Sequence, residues 1–252
     1  MHYPVKAIVL AAGKGTRLRT EGEDLPKVMR LACGRPLLSY VLEGLSFLDA
    51  KDIILVVGYK KEHVLAEYGR YPHAVQEQQL GTGHAVLAAA PLLSGYSGAL
   101  LVCCGDMPLI TRETYLALVE THFRENNACT ILSSVTDRPL PFGRVIRDEA
   151  GSFRKIVEEK DCTPEERAVT ELNAGVYVFQ ADRLLPALRQ LRNDNAQGEY
   201  YLTDVPELLL RQGEKVGVCR RALGDEIVGV NTLEQLWEVE RLLRERQAQA
   251  GQ

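Results

Sequence analysis

The stretch VKAIVLAAGKGTRL, residues 5–18, decides the fold class of this chain. Its first half, residues 5–11, is rich in Val, Ile and Leu and is typical of a strand buried on both faces of a parallel sheet. Its second half contains two glycines with Lys14 and Arg17, and glycine lets a ligand approach backbone N–H groups closely. The loop indicates either a phosphate cradle at the carboxyl end of the strand or an ordinary turn, because the third glycine of a dinucleotide-binding fingerprint is missing.

Apolar runs of strand length alternate with amphipathic stretches of helix length through the first half of the chain. Beyond the first strand, we expect strands at residues 53–58 and 100–104 and helices at residues 37–48, 61–68, 83–93 and 115–123. Thr111 is the expected N-cap of the last of these helices. This alternation predicts a doubly wound α/β fold with helices on the faces of a parallel sheet.

The pattern changes from about residue 128. Here we expect shorter, often antiparallel strands at residues 130–135, 143–146, 153–157 and 174–179, with helices at residues 184–191, 204–212 and 233–247. No linker rich in Pro, Gly or Ser separates the two halves. We therefore expect one domain over residues 1–252, with the second half folded onto the same sheet.

The composition excludes several classes of protein. Of the 252 residues, 46% are hydrophobic and 25% are charged, which is ordinary for a soluble globular chain and unlike a disordered or coiled-coil one. No apolar run approaches the length of about 18 residues that a membrane span needs, and no secretory signal is visible. The net charge of −4 predicts no general attraction to nucleic acid or to a membrane, so a polyanionic ligand would need a locally basic pocket.

The cysteine and histidine spacings carry no metal signature. None of the six cysteines forms a CxxC pair, and the five histidines make no HxxxH or HExxH pattern. A structural zinc site is therefore not expected. Together with the missing secretory signal, this pattern predicts a cytoplasmic protein with reduced thiols.

Three polar residues far apart in the sequence suit a site for a polyanion and a cation. Pro26 fixes the backbone just before Lys27, whose ammonium group would act as a point charge on a phosphate, or would be solvated as most surface lysines are. Asp106 directly follows the strand at residues 100–104, where a carboxylate suits Mg²⁺ or caps the next turn. Asn231 offers a second hard oxygen, or an N-cap for the last helix.

Other polar residues suit the binding of a base and of a sugar. Gln76 precedes Gly81 and Thr82, and a glutamine amide can pair with the edge of a nucleobase. Without further context, however, an ordinary loop and helix start is the favoured interpretation. Glu158 and Asn173 flank predicted strands and suit sugar hydroxyls, but a charged run such as residues 158–161 is also typical of a solvated edge.

These segments occur in the same order in the uridylyltransferase domain of the bifunctional bacterial enzymes that make UDP-N-acetylglucosamine, which the chain resembles from Val5 to about Leu243. The matching segments are LAAGKGTRL (10–18), LPKV (25–28), QLGTGHA (79–85), GDMPL (105–109), FGR (142–144), IVEEKD (156–161), ELNAG (171–175), NAQGEYYLTD (195–204) and GVN (229–231). LAAGKGTRL alone indicates only the wider nucleotidyltransferase superfamily, whereas QLGTGHA and NAQGEYYLTD are highly specific.

The resemblance implies a Rossmann-like, GT-A type nucleotidyltransferase fold: a mixed, mostly parallel sheet flanked by helices, with a smaller antiparallel sugar-binding subregion. It divides the chain into a nucleotide-binding half at about 1–127, a sugar-binding half at about 128–231 and a C-terminal helix at 232–252. It also implies a role for each matching residue. The nucleotide would be contacted by Ala11, Ala12 and Gly13, its triphosphate by Arg17 and Lys27, and its uracil by Gln76, Gly81 and Thr82. The Mg²⁺ ion would be held by Asp106 and Asn231. The sugar would be bound by Gly143, Glu158 and Asn173.

The implied reaction joins UTP to N-acetylglucosamine 1-phosphate and releases pyrophosphate, with Mg²⁺ as cofactor and these small molecules as the partners. Lys27, Arg17 and Asp106 would be its catalytic residues. Alternatives are a nucleotidyltransferase for another sugar 1-phosphate or for CTP or dTTP, and a nucleotide-sugar-binding module without catalysis. A nicotinamide-dependent oxidoreductase is disfavoured by the incomplete glycine fingerprint and by the absence of an acidic residue after the second strand. The sequence leaves the oligomeric state open.

The chain departs from the family in three places. The segment after Arg17, residues 20–24, is longer and more acidic than usual, and Ala174 stands where a threonine is expected. The relatives continue into a left-handed β-helix with acetyltransferase activity, whereas this sequence stops after its last helix. We therefore expect no acetyl-CoA chemistry and no trimer held by a β-helix, whether the chain is a natural single-domain form or a truncated one.

Overall fold

The computed structural model describes residues 3–18 and 25–250, so the acidic segment 20–24 lies outside the described residues. The strands are β1 (Val5–Ala11), β2 (Leu31–Ala32), β3 (Arg35–Pro36), β4 (Ile53–Val57), β5 (His73–Val75), β6 (Ala99–Cys104), β7 (Cys129–Val135), β8 (Arg144–Arg147), β9 (Phe153–Val157), β10 (Glu171–Gln180) and β11 (Val216–Arg220). The α-helices are α1 (Leu37–Gly44), α2 (Lys61–Tyr68), α3 (Thr82–Ala88), α4 (Arg112–Glu125), α5 (Pro164–Arg167), α6 (Ala181–Leu188), α7 (Val205–Arg211) and α8 (Leu233–Ala250).

A mixed sheet runs through both halves of the chain in the order β11-β7-β10-β6-β1-β4-β5. Strands β5, β4, β1 and β6 are parallel to one another, while β10 is antiparallel to both β6 and β7. Strand β8 pairs antiparallel with β10 and with β9, and β2 and β3 form a separate antiparallel pair. The predicted architecture, a mostly parallel sheet with a smaller antiparallel part, is therefore confirmed.

Alternate side chains of the central strands point to opposite faces of the sheet and pack into two separate hydrophobic cores. On one face, Ala7, Val9 and Leu55 pack with α1, α2 and α4; on the other, Ile8 and Val56 pack with α3, α6 and α7. Each fully buried Val, Ile or Leu side chain contributes roughly 1.5–3 kcal/mol by leaving water. Burial on both faces explains why these strands read as nearly continuous apolar runs.

Several predicted elements differ in their bounds or partners. The helix predicted at 83–93 ends at Ala88 and is followed by a 3₁₀ turn, Ala90–Leu93, because Pro91 has no N–H to continue an α-helix. Strand β10 begins at Glu171, so Asn173 lies inside the strand rather than at its start. Strand β11, which was not predicted, pairs parallel with β7. Strand β5, also not predicted, spans only three residues.

The carboxyl ends of β1, β4, β5 and β6 meet at one edge of the sheet. The connections from β1 to β4 and on to β5 pass through α1 and α2, whereas the chain reaches β6 through α3 on the opposite face. The strand order thus reverses beside β1, which opens a crevice between the ends of β1 and β6. The loop after β1 and Asp106 after β6 both border this crevice.

A register shift in β10 shapes the neighbouring part of this edge. Asn173 pairs with Ser133 and Tyr177 pairs with Ile131, so the β10 chain bulges between Asn173 and Tyr177. A bulge bends a strand and re-aims its side chains. Here it directs Asn173 and Tyr177 toward the same space, since the Asn173 amide donates a hydrogen bond of 2.6 Å to the Tyr177 hydroxyl.

Two properties of the whole described chain bear on its class. None of the helices within 3–18 and 25–250 combines the length and the apolar character needed to cross a bilayer. All six cysteines are free thiols, and Cys103, Cys129, Cys162 and Cys219 are buried.

Candidate active site

Two adjoining cavities open at the carboxyl edge of the sheet. The first, of about 230 Å³, is lined by Leu10, Ala12, Gly13, Lys27, Val28, Gln76, Gln79, Gly81, Thr82, Ala85, Cys104, Asp106 and Glu199. The second, of about 270 Å³, is lined by Leu10, Thr82, Cys104, Asp106, Met107, Pro141, Phe142, Gly143, Glu158, Asn173, Ala174, Gly175, Tyr177, Leu202, Thr203 and Asn231. Leu10, Thr82, Cys104 and Asp106 border both cavities, so two molecules bound in them would meet beside Asp106.

Lys27, Asp106 and Asn231 converge where the two cavities join. The Lys27 ammonium group donates one hydrogen bond to the Asp106 carboxylate and another, of 2.6 Å, to the Asn231 amide oxygen. The two oxygens therefore lie close enough together to contact a single cation. The ammonium group occupies the position that a metal ion bound by the same two oxygens would take.

The local structure decides between the alternatives that the sequence left open for Lys27 and Asn231. Lys27 is not a solvated surface lysine, because only 13% of its side chain is exposed. The N-terminus of α8 is capped by Thr232, whose hydroxyl accepts from the backbone N–H of Gln235, while the Gln235 side chain accepts from Thr232 in return. The Asn231 amide oxygen takes no part in this cap and accepts from Lys27 instead.

The Gln76 side chain lies in the wall of the first cavity and is only 4% exposed. Its amide nitrogen donates to the Gly81 carbonyl at 3.0 Å and lies 3.1 Å from Nδ1 of His84. Gly81 adopts φ +110, and a Cβ there would lie 2.7 Å from the Tyr200 carbonyl oxygen. Gly81 is thus the residue that brings two chain segments together beside Gln76.

Glu158, Asn173 and Gly143 meet in the second cavity. The Gly143 carbonyl accepts a hydrogen bond of 2.8 Å from the Asn173 backbone, and a Cβ on Gly143 would lie 3.7 Å from the Glu158 carboxylate. Glu158 accepts a bond of 2.8 Å from the Thr203 hydroxyl. Burial raises the pKa of the Glu158 carboxyl above its ordinary value, and the Thr203 bond offsets part of this rise.

The segment 195–204 borders both cavities. Its Tyr200 N–H donates to the Leu80 carbonyl at 2.8 Å, and its Tyr200 carbonyl accepts from Gly83 at 2.8 Å. The Thr82 hydroxyl accepts from the backbone of Leu202 at 2.9 Å, so Thr82 tethers this segment as well as lining the cavities. The segment places Glu199 in the first cavity and Thr203 in the second.

Most residues that the sequence assigns to a site line one of the two cavities, and two do not. Ala11 is buried within β1 with 1% exposure, so its side chain reaches neither cavity. Arg17 lies in a 3₁₀ turn, Thr16–Leu18, where it is exposed and outside both linings. The sequence reasoning gave no role to Cys104, Tyr177, Thr203 or Glu199. Thr203 and Glu199 lie inside the NAQGEYYLTD segment, and the specificity of that motif was the feature of the sequence that could have identified them.

A third and larger groove, of about 1060 Å³, lies behind Glu158 and is a poor candidate for a phosphate ligand. Carboxylates outnumber basic side chains in its lining, which contains Glu158, Asp161, Glu166, Asp194, Asp204 and Glu207 against Lys155, Arg192 and Arg211. Burial, followed by repulsion from Glu207 and Glu158, raises the pKa of Asp204 to about 6. A polyanion would be repelled by this groove, so the two smaller cavities beside Lys27 form the candidate active site.

A doubly wound sheet with a glycine loop, a lysine and a carboxylate–amide pair at its carboxyl edge defines a nucleotide-handling α/β protein. The family model described as nucleotidyl transferase matches residues 6–246. The chain therefore belongs to the nucleotidyl transferase family.

Curated relatives of similar sequence are named bifunctional protein GlmU. The protein from Pelotomaculum thermopropionicum is 46% identical over 241 residues, which are 95% of this chain and 52% of the relative. The protein from Clostridium novyi is 46% identical over 242 residues, with the same coverage of both chains. The chain thus spans about half the length of the curated relatives it matches.

A solved structure supports the fold. A protein described as a glucose-1-phosphate thymidylyltransferase from Bacillus anthracis, crystallised with sucrose, superposes with a TM-score of 0.75. Its sequence is 19% identical, and the match covers 95% of each chain. At this identity the likeness concerns the arrangement of the sheet and its helices.

Proposed function

We propose that this chain catalyses the transfer of a uridylyl group from UTP to N-acetylglucosamine 1-phosphate, forming UDP-N-acetylglucosamine and pyrophosphate. The observation that carries the proposal is the convergence of Lys27, Asp106 and Asn231 where the two cavities join. The first cavity would hold UTP and the second the sugar phosphate. Relatives named bifunctional protein GlmU, at 46% identity over 95% of the chain, support this choice of substrates.

The chemistry requires two polyanions to meet in line. A phosphate oxygen of the sugar phosphate attacks the α-phosphorus of UTP, a new P–O bond forms, and the bond to the β-phosphate oxygen breaks to release pyrophosphate. The nucleophile is already anionic, so no strong general base is needed. Catalysis then rests on positioning and on offsetting negative charge.

The protein's own groups supply that positive charge. Lys27 and the N–H groups of the loop around Gly13 would donate to the phosphates, and Arg17 would reach them from the rim of the loop. Ala12 and Gly13, together with Gln76, Gly81 and Thr82, would bind the nucleotide. Gly143, Glu158 and Asn173 would bind the sugar, with Thr203 keeping the Glu158 carboxylate in place. A Cβ at Gly143 would lie 3.0 Å from the Ile156 side chain and 3.3 Å from the Val157 carbonyl oxygen, so this position has little room for a side chain.

Asp106 and Asn231 fit a magnesium ion. Their oxygens already share one cationic partner, and carboxylate and amide oxygens are the hard ligands that Mg²⁺ prefers. Among the described residues no cluster of three or more His, Cys, Asp or Glu side chains forms a metal site, so substrate oxygens and water would complete the coordination. Bound there, Mg²⁺ would offset charge on the α-phosphate and on the leaving pyrophosphate.

We also propose that residues 1–252 act as one domain and that the protein works in the cytoplasm. The shared sheet supports the first point, since β7, β10 and β11 of the second half extend the sheet of the first. The free thiols support the second.

A pyrophosphate-release screen tests the proposed function. UTP, CTP, dTTP and ATP are each combined with the 1-phosphates of glucose, galactose and N-acetylglucosamine, with and without Mg²⁺. We expect release only with Mg²⁺, and fastest with UTP and N-acetylglucosamine 1-phosphate. A faster reaction with another pair would move the assignment to that pair, and no release with any pair would refute catalysis.

The variant Asp106→Asn tests the metal site in the same assay. Losing one charge at the reacting centre is expected to lower kcat by about 10²-fold or more. Asp49→Asn is a matched control, because the Asp49 side chain is 74% exposed and lies outside both cavities. Wild-type kcat for Asp106→Asn at saturating Mg²⁺ would remove Asp106 from the mechanism.

A further inference from the structure

The Gln76 amide nitrogen contacts two neighbouring groups of the protein, which leaves only the amide oxygen for a ligand. This nitrogen carries two hydrogens and lies 3.0 Å from the Gly81 carbonyl oxygen and 3.1 Å from Nδ1 of His84. A backbone carbonyl only accepts hydrogen bonds, so the contact with Gly81 requires the nitrogen, and not the oxygen, to lie on this side of the amide.

The contact with His84 then fixes the form of the imidazole ring. If Nδ1 carried a proton, two donors would face each other at 3.1 Å. Nδ1 must therefore be the unprotonated nitrogen that accepts the second amide hydrogen, and the ring proton lies on Nε2. Both Gln76 hydrogens are committed to the protein in this arrangement.

The Gln76 amide oxygen is the part of the group left for a ligand. No donor among the described residues bonds to this oxygen. It is also not a fully buried atom, so a ligand can reach it. Gln76 lines the first cavity, so we infer that this oxygen is available to a ligand bound there. Toward a bound base, Gln76 thus offers an acceptor and no donor.

We propose that His84 is a positioning residue that makes this site select a base with an N–H on its pairing edge. Uracil offers N3–H to the Gln76 oxygen, whereas cytosine presents an unprotonated N3, and two acceptors repel. Without His84, one of the two hydrogen bonds that hold this orientation is lost, and turning the amide to offer its nitrogen to cytosine would cost only the bond to Gly81. The inference rests on the proposed function, since it assumes that the first cavity holds the base of the nucleotide.

Variants of His84 test this role through selectivity rather than rate alone. His84→Leu removes the acceptor, and we expect the preference for UTP over CTP to fall by about tenfold, the size of one hydrogen bond. His84→Asn places an amide oxygen at the position of Nδ1 and is expected to retain most of the preference. His63→Leu is the control, because His63 is exposed on α2 and outside both cavities.

The preference is measured in two ways, as the ratio of kcat/KM values with N-acetylglucosamine 1-phosphate and as the ratio of Kd values for UTP and CTP. A His84→Leu variant that weakens both nucleotides equally would show a merely structural role and overturn the proposal. If the wild type binds UTP more tightly than CTP but forms no product, the proposed function is refuted. The role of His84 is then decided by the Kd ratios of the wild type and the variants. Wild-type binding without a preference for UTP would overturn the role of His84.

A direct measurement on the wild-type protein needs no variant. Long-range ¹H–¹⁵N spectra distinguish the two neutral forms of a histidine ring, and we expect His84 to carry its proton on Nε2. A proton on Nδ1 would contradict the proposed contact with Gln76, even if the His84→Leu variant failed to fold.

Discussion

Two glycines in the loop after β1 meet different needs. Gly15 has φ +62, and a Cβ on it would lie 2.8 Å from Cβ of Lys27, so the fold itself requires glycine there. A Cβ on Gly13 would meet nothing within 4 Å. The fold does not need glycine at position 13, which points to the close approach of a ligand as the reason for it.

Gly13→Ala is therefore expected to fold normally and to bind UTP about tenfold more weakly or worse, since a methyl group would displace the phosphates from the loop. Thermal denaturation and UTP titration measure the two effects. Gly15→Ala serves as the contrast, because its strained backbone should lower stability by about 1–3 kcal/mol. Unchanged UTP affinity in Gly13→Ala would remove the loop from the nucleotide site.

At the scale of elements, the segment 195–204 connects the two cavities. It is anchored on the start of α3 by the backbone bonds of Tyr200 and by the Thr82 hydroxyl. The same segment supplies Glu199 to one cavity and Thr203 to the other. Disturbing its anchor should therefore affect nucleotide and sugar together, rather than one substrate alone.

Gly81→Ala tests that coupling. At φ +110 an alanine is strained, and its Cβ would meet the Tyr200 carbonyl oxygen at 2.7 Å, where backbone must move to make room. We expect a loss of about 2 kcal/mol or more in the free energy of unfolding, with weaker binding of both UTP and the sugar phosphate. Chemical denaturation and two separate titrations measure this. Weakening of UTP alone would argue that the segment does not link the cavities.

At the scale of the whole molecule, a buried histidine is expected to set part of the acid stability. His122 is 0% exposed on α4, and its Nδ1 lies 3.0 Å from the Thr130 hydroxyl of β7, which joins the helix to the sheet. Its Nε2 is a buried atom without a partner in the described chain. Burial lowers the pKa of His122 from 6.5 to about 4.

The direction of the pH effect follows from the pKa difference. Between about pH 6.5 and pH 4 the unfolded chain binds a proton at His122 and the folded chain does not, so stability falls as the pH is lowered. The full effect is about 3 kcal/mol, of which about 2 kcal/mol should appear between pH 7 and pH 5. Asp204, with its pKa raised to about 6, contributes a slope of the opposite sign.

His122→Asn isolates the histidine, because Asp204 is present in both proteins and its contribution cancels in the difference. Asn keeps a polar atom near the position of Nδ1. Urea denaturation at pH 7 and pH 5 is expected to show that the wild type loses about 2 kcal/mol more stability than the variant over this interval. Equal losses in the two proteins would contradict a depressed His122 pKa.

The elements that the sequence predicted well are those with long, locally encoded patterns. Strands β1, β4 and β6 appear where their apolar runs lie, and Thr111 caps α4 by accepting from Thr114 as expected. Strand β5 spans only His73–Val75, which is too short to give a pattern. The bulge in β10 depends on its pairing with β7, so no property of β10 alone could predict it.

By itself, the sequence determined the α/β class, the glycine loop after the first strand and the ordered motifs that mark the family. These properties are written in consecutive residues, where strand and loop propensities and motif spacing act. The tertiary structure alone decided that Lys27 is largely buried between Asp106 and Asn231, 79 and 204 residues away along the chain. It also decided that His84 faces Gln76. Such contacts depend on sheet order and register, which bring together side chains that no local pattern connects.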